Sequence, residues 1–202
     1  MMRAVLLKYI PENAVNLYLR WQNQHPHQLL ISRPRKTKLG DYRPPFGKRQ
    51  YHKISVNANL NQYEFLLTLT HEVAHLFTHK KYGKLAAPHG VEWKQIYKKL
   101  LEDAITANCF PQSVLPVLKK HCSQPKASSC VDVDLYKALR QFSKQKIKLP
   151  LVEDIETGKK FMLKGGKRFI KGILMRKRYQ CEEIGTGKIY AVSPIAEVLL
   201  TE

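Results

Sequence analysis

Leu69–Gln95 reads LTHEVAHLFTHKKYGKLAAPHGVEWKQ. His71 and His75 stand four apart with Glu72 between them, and His89-Gly90 follows after a flexible return. The run QYEFLLTLTHEVAHLFTHKKYG, ending near Gly83, predicts one long helix with lysines in its last turn, where the helix dipole favours cations. On a helix, residues i and i+4 project from one face a turn apart, so both imidazoles reach the same ion. Glu72 lies beside that face. In a His-Glu-x-x-His arrangement the glutamate is not a ligand but is placed to polarise metal-bound water. The surrounding LLTLTHEVAHLF is strongly apolar, and unpartnered histidines and a glutamate would be costly to bury there. A zinc site is therefore expected, with His71 and His75 as ligands.

A catalytic zinc takes three protein ligands and keeps an open position. His79 continues the i+4 series, but His71 and His79 are roughly 12 Å apart along a helix axis. Three successive i+4 histidines cannot share one ion on a straight helix, so His79 is expected at the surface or behind the ligands. A metzincin pattern would want Gly at 78 and His at 81, where this chain has Thr78 and Lys81. An acidic third ligand would come from the next helix, from Glu92 or Glu102. His89 is preferred, because YGKLAAP lets the chain turn back and Gly90 allows the backbone to pass close to the site. The following helix, GVEWKQIYKKLLEDA, then packs Trp93, Ile96 and Tyr97 against the first.

Working outward, PENAVNLYLRWQ predicts a first helix, HQLLISRP a strand stopped by Pro34, and YHKISVNANL a second strand. Between them Arg33–Lys53 carries eight Lys or Arg and one acid and reads as a basic hairpin or loop. PQSVLPVLKKH and DVDLYKALRQFSK read as shorter helices. Beyond about residue 148 strands take over. VEDIETGKKFML (152–163) aligns with CEEIGTGKIYAV (181–192), with Gly158 and Gly187 placed for tight turns at positive φ. Two hairpins flanking one long strand, KRFIKGILMRKRYQC, are expected to form a small antiparallel sheet. The expected domains are 1–148 and 149–202.

The 202 residues carry 35 Lys+Arg against 16 Asp+Glu, a formal net charge of +19. That excess points to a polyanionic partner, with nucleic acid first. It is concentrated at +16 in residues 1–148, although Lys164–Arg178 has seven basic residues and no acid. Arg33, Arg35, Lys36 and Lys38 in the first segment, and Lys171, Arg176, Lys177 and Arg178 in the second, are the expected phosphate contacts. Tyr42, Phe46, Tyr51 and Phe169 are interleaved as possible base-stacking groups. The opening MMRAVLLKYIPENAV interrupts its apolar run at Lys8, too soon for a secretory h-region. No stretch approaches the roughly 18 apolar residues of a membrane span, so no membrane partner is expected. Cys109, Cys122, Cys130 and Cys181 form no CxxC pair, which predicts free thiols in a reducing, cytoplasmic setting.

HEVAHL followed by APHGVEWKQI closely resembles the SprT-like family of zinc metallopeptidases, which includes the bacterial SprT proteins and the Spartan proteases that digest DNA–protein crosslinks. The resemblance covers roughly residues 10–120. It implies zinc on His71, His75 and His89, with Glu72 catalytic. One zinc per chain is expected, and the expected partners are a protein substrate and, from the charge, DNA, either single-stranded or in DNA–protein complexes. The implied fold is α+β: a zincin-like (minigluzincin) helical core with a short N-terminal sheet. Many bacterial relatives append a zinc ribbon with two CxxC pairs. Here the tail has Cys181 alone, so a small antiparallel zinc-ribbon-like sheet lacking its cysteines is expected. The expected activity is peptide-bond hydrolysis by a zinc-activated water with a glutamate general base. The rival reading is a nucleic-acid-binding or regulatory protein whose zinc site is not catalytic.

Overall fold

The computed structural model describes residues 2–35, 37–123, 132–143 and 148–201. Lys36 and Cys130, both named above, lie outside the described residues. The fold is mixed α+β, with six α-helices and two sheets among the described residues. The chain divides into two compact units, Met1–Lys144 and Gln145–Glu202.

In the first unit the elements run α1 (Met2–Leu6), α2 (Glu12–Gln24), β1 (Gln28–Ser32), β2 (Gly40–Arg43), β3 (Lys53–Asn57), α3 (Gln62–Tyr82), α4 (Val91–Thr106), α5 (Leu115–Ser123) and α6 (Val133–Arg140). The short α1 is an addition to the sequence reading. Its Leu6 is buried while Met2, Val5 and Leu7 are exposed, too little periodicity in five residues to be visible as a helix.

The central element is α3. Asn61 caps it by accepting from the backbone N–H groups of Tyr63 and Glu64, and Glu64 accepts from the Asn61 N–H in return. That reciprocal pair satisfies donors that the first helical turn leaves open. Phe65, Leu66, Leu67, Leu69, Val73, Ala74 and Leu76 of α3 are all buried. A helix apolar on nearly every side belongs in the middle of a core, and each large side chain buried there contributes about 1.5–3 kcal/mol. Around it pack Val15, Tyr18 and Trp21 of α2, Ile54 and Val56 of β3, and Trp93, Tyr97 and Leu101 of α4. The sheet has the order β1-β3-β2, with β1 parallel and β2 antiparallel to β3. The basic Arg33–Lys53 segment thus contributes an edge strand, and β2 packs directly on α3.

The second unit is a five-stranded antiparallel sheet of order β7-β6-β5-β4-β8, from β4 (Lys160–Leu163), β5 (Arg168–Met175), β6 (Arg178–Glu183), β7 (Ile189–Val192) and β8 (Val198–Leu200). Its core is built on Val152, Phe161, Phe169, Tyr179, Cys181, Val192 and Val198. The expected long strand from 167 to 181 does not exist. It is folded back on itself as β5 and β6, with Arg176 at φ 56 in the turn between Met175 and Arg178. The two aligned segments also differ. Residues 181–192 form the β6–β7 hairpin, whereas 152–163 begin in a 3-10 turn, Val152–Asp154, so only β4 of that copy is a strand. Gly158 and Gly187 do take positive φ, 84° and 67°, so the shared TG motif specifies the local turn but not what precedes it.

Candidate metal centre

His71 and His75 project from one face of α3, and His89 comes from the turn before α4. Their Nε2 atoms stand 3.1 Å (71–75), 3.0 Å (75–89) and 3.1 Å (71–89) apart. These contacts cannot all be hydrogen bonds. Each ring nitrogen carries either a proton or a lone pair, so at least two of three mutually adjacent nitrogens are alike and repel unless a cation lies between them. A tetrahedral zinc with Zn–N bonds of about 2.0–2.1 Å holds its nitrogens about 3.3–3.4 Å apart, close to the spacing seen. Among the described residues this is the one group of three or more His, Cys, Asp or Glu side chains placed to share an ion.

The surroundings keep the three rings neutral and fixed. Burial, followed by the neighbouring histidine charges, holds the His71 imidazole down to about 2, and burial with the His89 charge holds His75 at about 4. Burial also lowers His89, with the Lys94 charge adding to it. Rings this hard to protonate present lone pairs at neutral pH, the form a metal requires. Trp93 packs against all three, its ring 4.6 Å from His71, 5.3 Å from His75 and 4.7 Å from His89, and Tyr97 stacks behind it at 4.7 Å.

His89 itself has φ 58, a left-handed backbone that costs a non-glycine residue roughly 1–2 kcal/mol. The turn itself does not fall on Gly90. Gly90 has φ −67 and serves as the N-cap position of α4, where a Cβ would press on the Ala87 carbonyl oxygen at 3.0 Å. The sharp change of direction falls on the histidine, and such strained residues persist where surrounding structure over-determines them.

Glu72, one residue after His71, is buried beneath β2. Burial pushes its carboxyl up to about 8, the Asp41 charge adds to that, and Arg35, the Tyr42 backbone N–H and Lys38 oppose it. At Gly40 a side chain would collide with the Glu72 carboxylate, and its Cβ would stand 2.8 Å from both Glu72 Cγ and Thr68 Cγ2. The Tyr42 ring lies parallel to His75 at 6.4 Å, and its hydroxyl is 2.8 Å from His52 Nδ1. Edge strand β2 therefore supplies the roof over the glutamate. Gly40 was not among the expected site residues and Tyr42 was expected only as a base-stacking group, because nothing in the local pattern of GDYR says which helix it covers.

A model of the SprT-like family matches residues 12–114. The chain belongs to the SprT-like family. Comparison with curated proteins and with solved structures gave no match. The family is one of metallopeptidase-like proteins, and within this SprT-like domain the matched span contains both α3 and α4 with all three clustered histidines.

The other expected residues fall elsewhere in the SprT-like chain. His79 is half-buried near Tyr42 and His52, with ring centres 6.1 and 5.7 Å away. Glu102 is exposed beside Lys98, and Glu92 lies near Gly90 without joining the cluster. Of the phosphate-contact residues, Arg33 is exposed, and Lys38 is exposed but ion-paired to Asp41 at 2.7 Å. Arg35 is a correction. Its guanidinium donates to Asn57 Oδ1 at 2.8 Å, Ser55 Oγ at 3.1 Å and the Leu39 carbonyl at 3.4 Å, so it ties the loop to β3 rather than standing free for phosphate. Lys171 is the second correction. It is 4% exposed, donates to the Ile155 carbonyl at 2.5 Å, and lies 4.1 Å from the centre of the Tyr179 ring. Period 2 from Phe169 puts Lys171 on the core face, a signal present in the sequence. Arg176, Lys177 and Arg178 are exposed at the β5–β6 turn.

Proposed function

We propose that this SprT-like chain is a zinc-dependent metallopeptidase that hydrolyses peptide bonds in proteins associated with nucleic acid. His71, His75 and His89 hold one zinc, and Glu72 is the general base. The observation that carries the reading is the convergence of three neutral imidazole nitrogens beside a buried carboxylate one residue along the same helix. A purely structural site has no use for that carboxylate.

Bound zinc would supply a Lewis acid that polarises water and a peptide carbonyl. Glu72 would accept a proton from the attacking water and pass it to the leaving amine. Its burial raises its proton affinity, and a dication beside it would act in the opposite direction by favouring the charged carboxylate. Gly40 and the Tyr42 backbone keep the carboxylate in one place, which is the positioning that general-base chemistry needs. In this reading α1–α6 with the β1-β3-β2 sheet form a zincin-like (minigluzincin) core, and the second unit is a ribbon-like sheet without its metal, with Cys181 in its apolar core. DNA is the proposed partner. Its support is the +19 net charge and the exposed cations Arg33, Arg176, Lys177 and Arg178. The buried Cys109, Cys122 and Cys181 thiols suit a reducing, cytoplasmic compartment, and among the described residues no helix is long and apolar enough to cross a membrane.

The test is Glu72→Gln, assayed for zinc content and for cleavage of an unfolded protein with and without single-stranded DNA. The amide is nearly isosteric but a poor proton acceptor, so zinc should stay and turnover should fall at least about 10²-fold. Undiminished turnover would remove Glu72 from the mechanism. DNA binding by a wild type that never cleaves would favour the regulatory reading.

A further inference from the structure

On the first unit, away from the histidine cluster, helices α2 and α4 and the end of α3 line an open groove of about 740 Å³. Its floor is apolar: Leu17 and Trp21 from α2, Phe77 from α3, and Ile96 and Leu100 from α4. Its rim carries Arg20, Lys80, Lys81 and Lys99 against a single acid, Asp103. None of these four cations is ion-paired among the described residues. Nothing in the proposed peptidase chemistry uses this groove, so it is a separate question from the metal centre.

The lining residues have a pattern. From α2 they are 17, 20, 21 and 24, and from α4 they are 96, 99, 100 and 103, the i, i+3, i+4, i+7 stripe in both cases. Each stripe runs two turns, roughly 10 Å. A trough of that length between two helices, apolar along the bottom and basic along the edges, matches an amphipathic helix laid into it.

We propose that this groove is a docking site for an acidic amphipathic helix of a partner protein, with apolar side chains at i, i+3 or i+4 and i+7 seated on the floor and flanking carboxylates meeting the basic rim. A nucleic acid is the weaker fit to the same charge. Bases bind by stacking on open aromatic faces, and this floor offers none. Trp21 is 4% exposed, and Phe77 is already in edge-to-face contact with His25 at 4.5 Å. Leu17 and Leu100 are as covered as Trp21, at 2% and 4% exposed, so among the floor residues the half-buried Ile96 and Phe77 are the ones left to meet a partner's aliphatic anchors.

The experiment uses the full chain, zinc-loaded, as bait for a random 16-residue peptide display library, with single-stranded dT16 as a parallel probe. Enriched peptides should carry acids flanking apolar residues at helical spacing. Affinity of the best peptide is then measured by fluorescence anisotropy against wild type, the exposed-rim variant Lys80→Glu/Lys99→Glu, and a control reversal at Arg176→Glu/Lys177→Glu. Reversing rim charges that meet carboxylates should weaken the peptide by at least about tenfold, while the control leaves it unchanged. Melting curves and zinc content of the rim variant should match wild type, since both lysines are exposed. The proposal is overturned if no such peptide is enriched, if the two reversals weaken binding equally, or if the rim reversal reduces dT16 binding while dT16 displaces the peptide at equal or lower concentration.

Discussion

Replacing Gly40 by alanine tests whether edge strand β2 positions the Glu72 carboxylate proposed as the general base. The added Cβ would stand 2.8 Å from Glu72 Cγ and from Thr68 Cγ2, where ordinary contact begins at 3.4 Å, and it would overlap the Glu72 carboxylate more severely still. Glu72 is buried and α3 is fixed by the core around it, so relief requires the carboxylate or β2 to move by roughly 0.6–1 Å, the overlap an added group brings to close-packed surroundings. A misplacement near 1 Å can cost about 10²-fold in rate, equivalent to about 2.7 kcal/mol of transition-state stabilisation. The fold should suffer less. Overpacking costs about 1–3 kcal/mol, and the reduced freedom of the unfolded chain returns about 0.4–1 kcal/mol where the backbone angles suit alanine. The assay is cleavage of an unfolded protein substrate by wild type and Gly40→Ala at matched zinc occupancy, with thermal melts in parallel. The expected result is a folded variant with one zinc per chain and turnover down about 10²-fold. Full activity would refute the reasoning, and loss of zinc along with activity would show that β2 supports the histidines rather than the glutamate.

His89→Ala should abolish stoichiometric zinc binding, measured by elemental analysis, whereas wild type should hold one zinc per chain; retained zinc in the variant would return the third-ligand role to Glu92, Glu102 or His79. Arg35→Ala should lower stability by about 1–3 kcal/mol, because Asn57 and Ser55 lose a charged donor, seen as a shifted denaturant midpoint, and an unchanged midpoint would return Arg35 to the free cations. In titrations of DNA binding against salt, Arg176→Ala/Lys177→Ala/Arg178→Ala should reduce the slope of log K against log[salt] by about 2–3 if each cation meets one phosphate. Lys171→Ala should leave that slope unchanged and instead destabilise the second unit, since the Ile155 carbonyl would lose its buried donor; a reduced slope would mean that Lys171 reaches the surface after all.

The local elements were legible because their information is local. The apolar run around HEVAH and the lysines before Gly83 identify α3 and its end, and the i, i+4 spacing alone puts His71 and His75 on one face. The TG turns at Gly158 and Gly187 are likewise set within a few residues. The periodicity of FIKGILM could have buried Lys171 beside Phe169, but a run of seven basic residues is easily read as a solvated surface, and the fold-back at Arg176 is not marked by a glycine. Tertiary structure alone decided the rest. Gly40 meets Glu72 across 32 positions of chain, and Arg35 reaches Asn57 across 22. Such contacts depend on how β2 pairs with β3 and lies on α3, and no periodic pattern encodes that packing. The left-handed backbone of His89 has the same origin. Histidine tolerates positive φ better than most residues, but its local sequence does not call for it; the turn between α3 and α4 that brings His89 to His71 and His75 does.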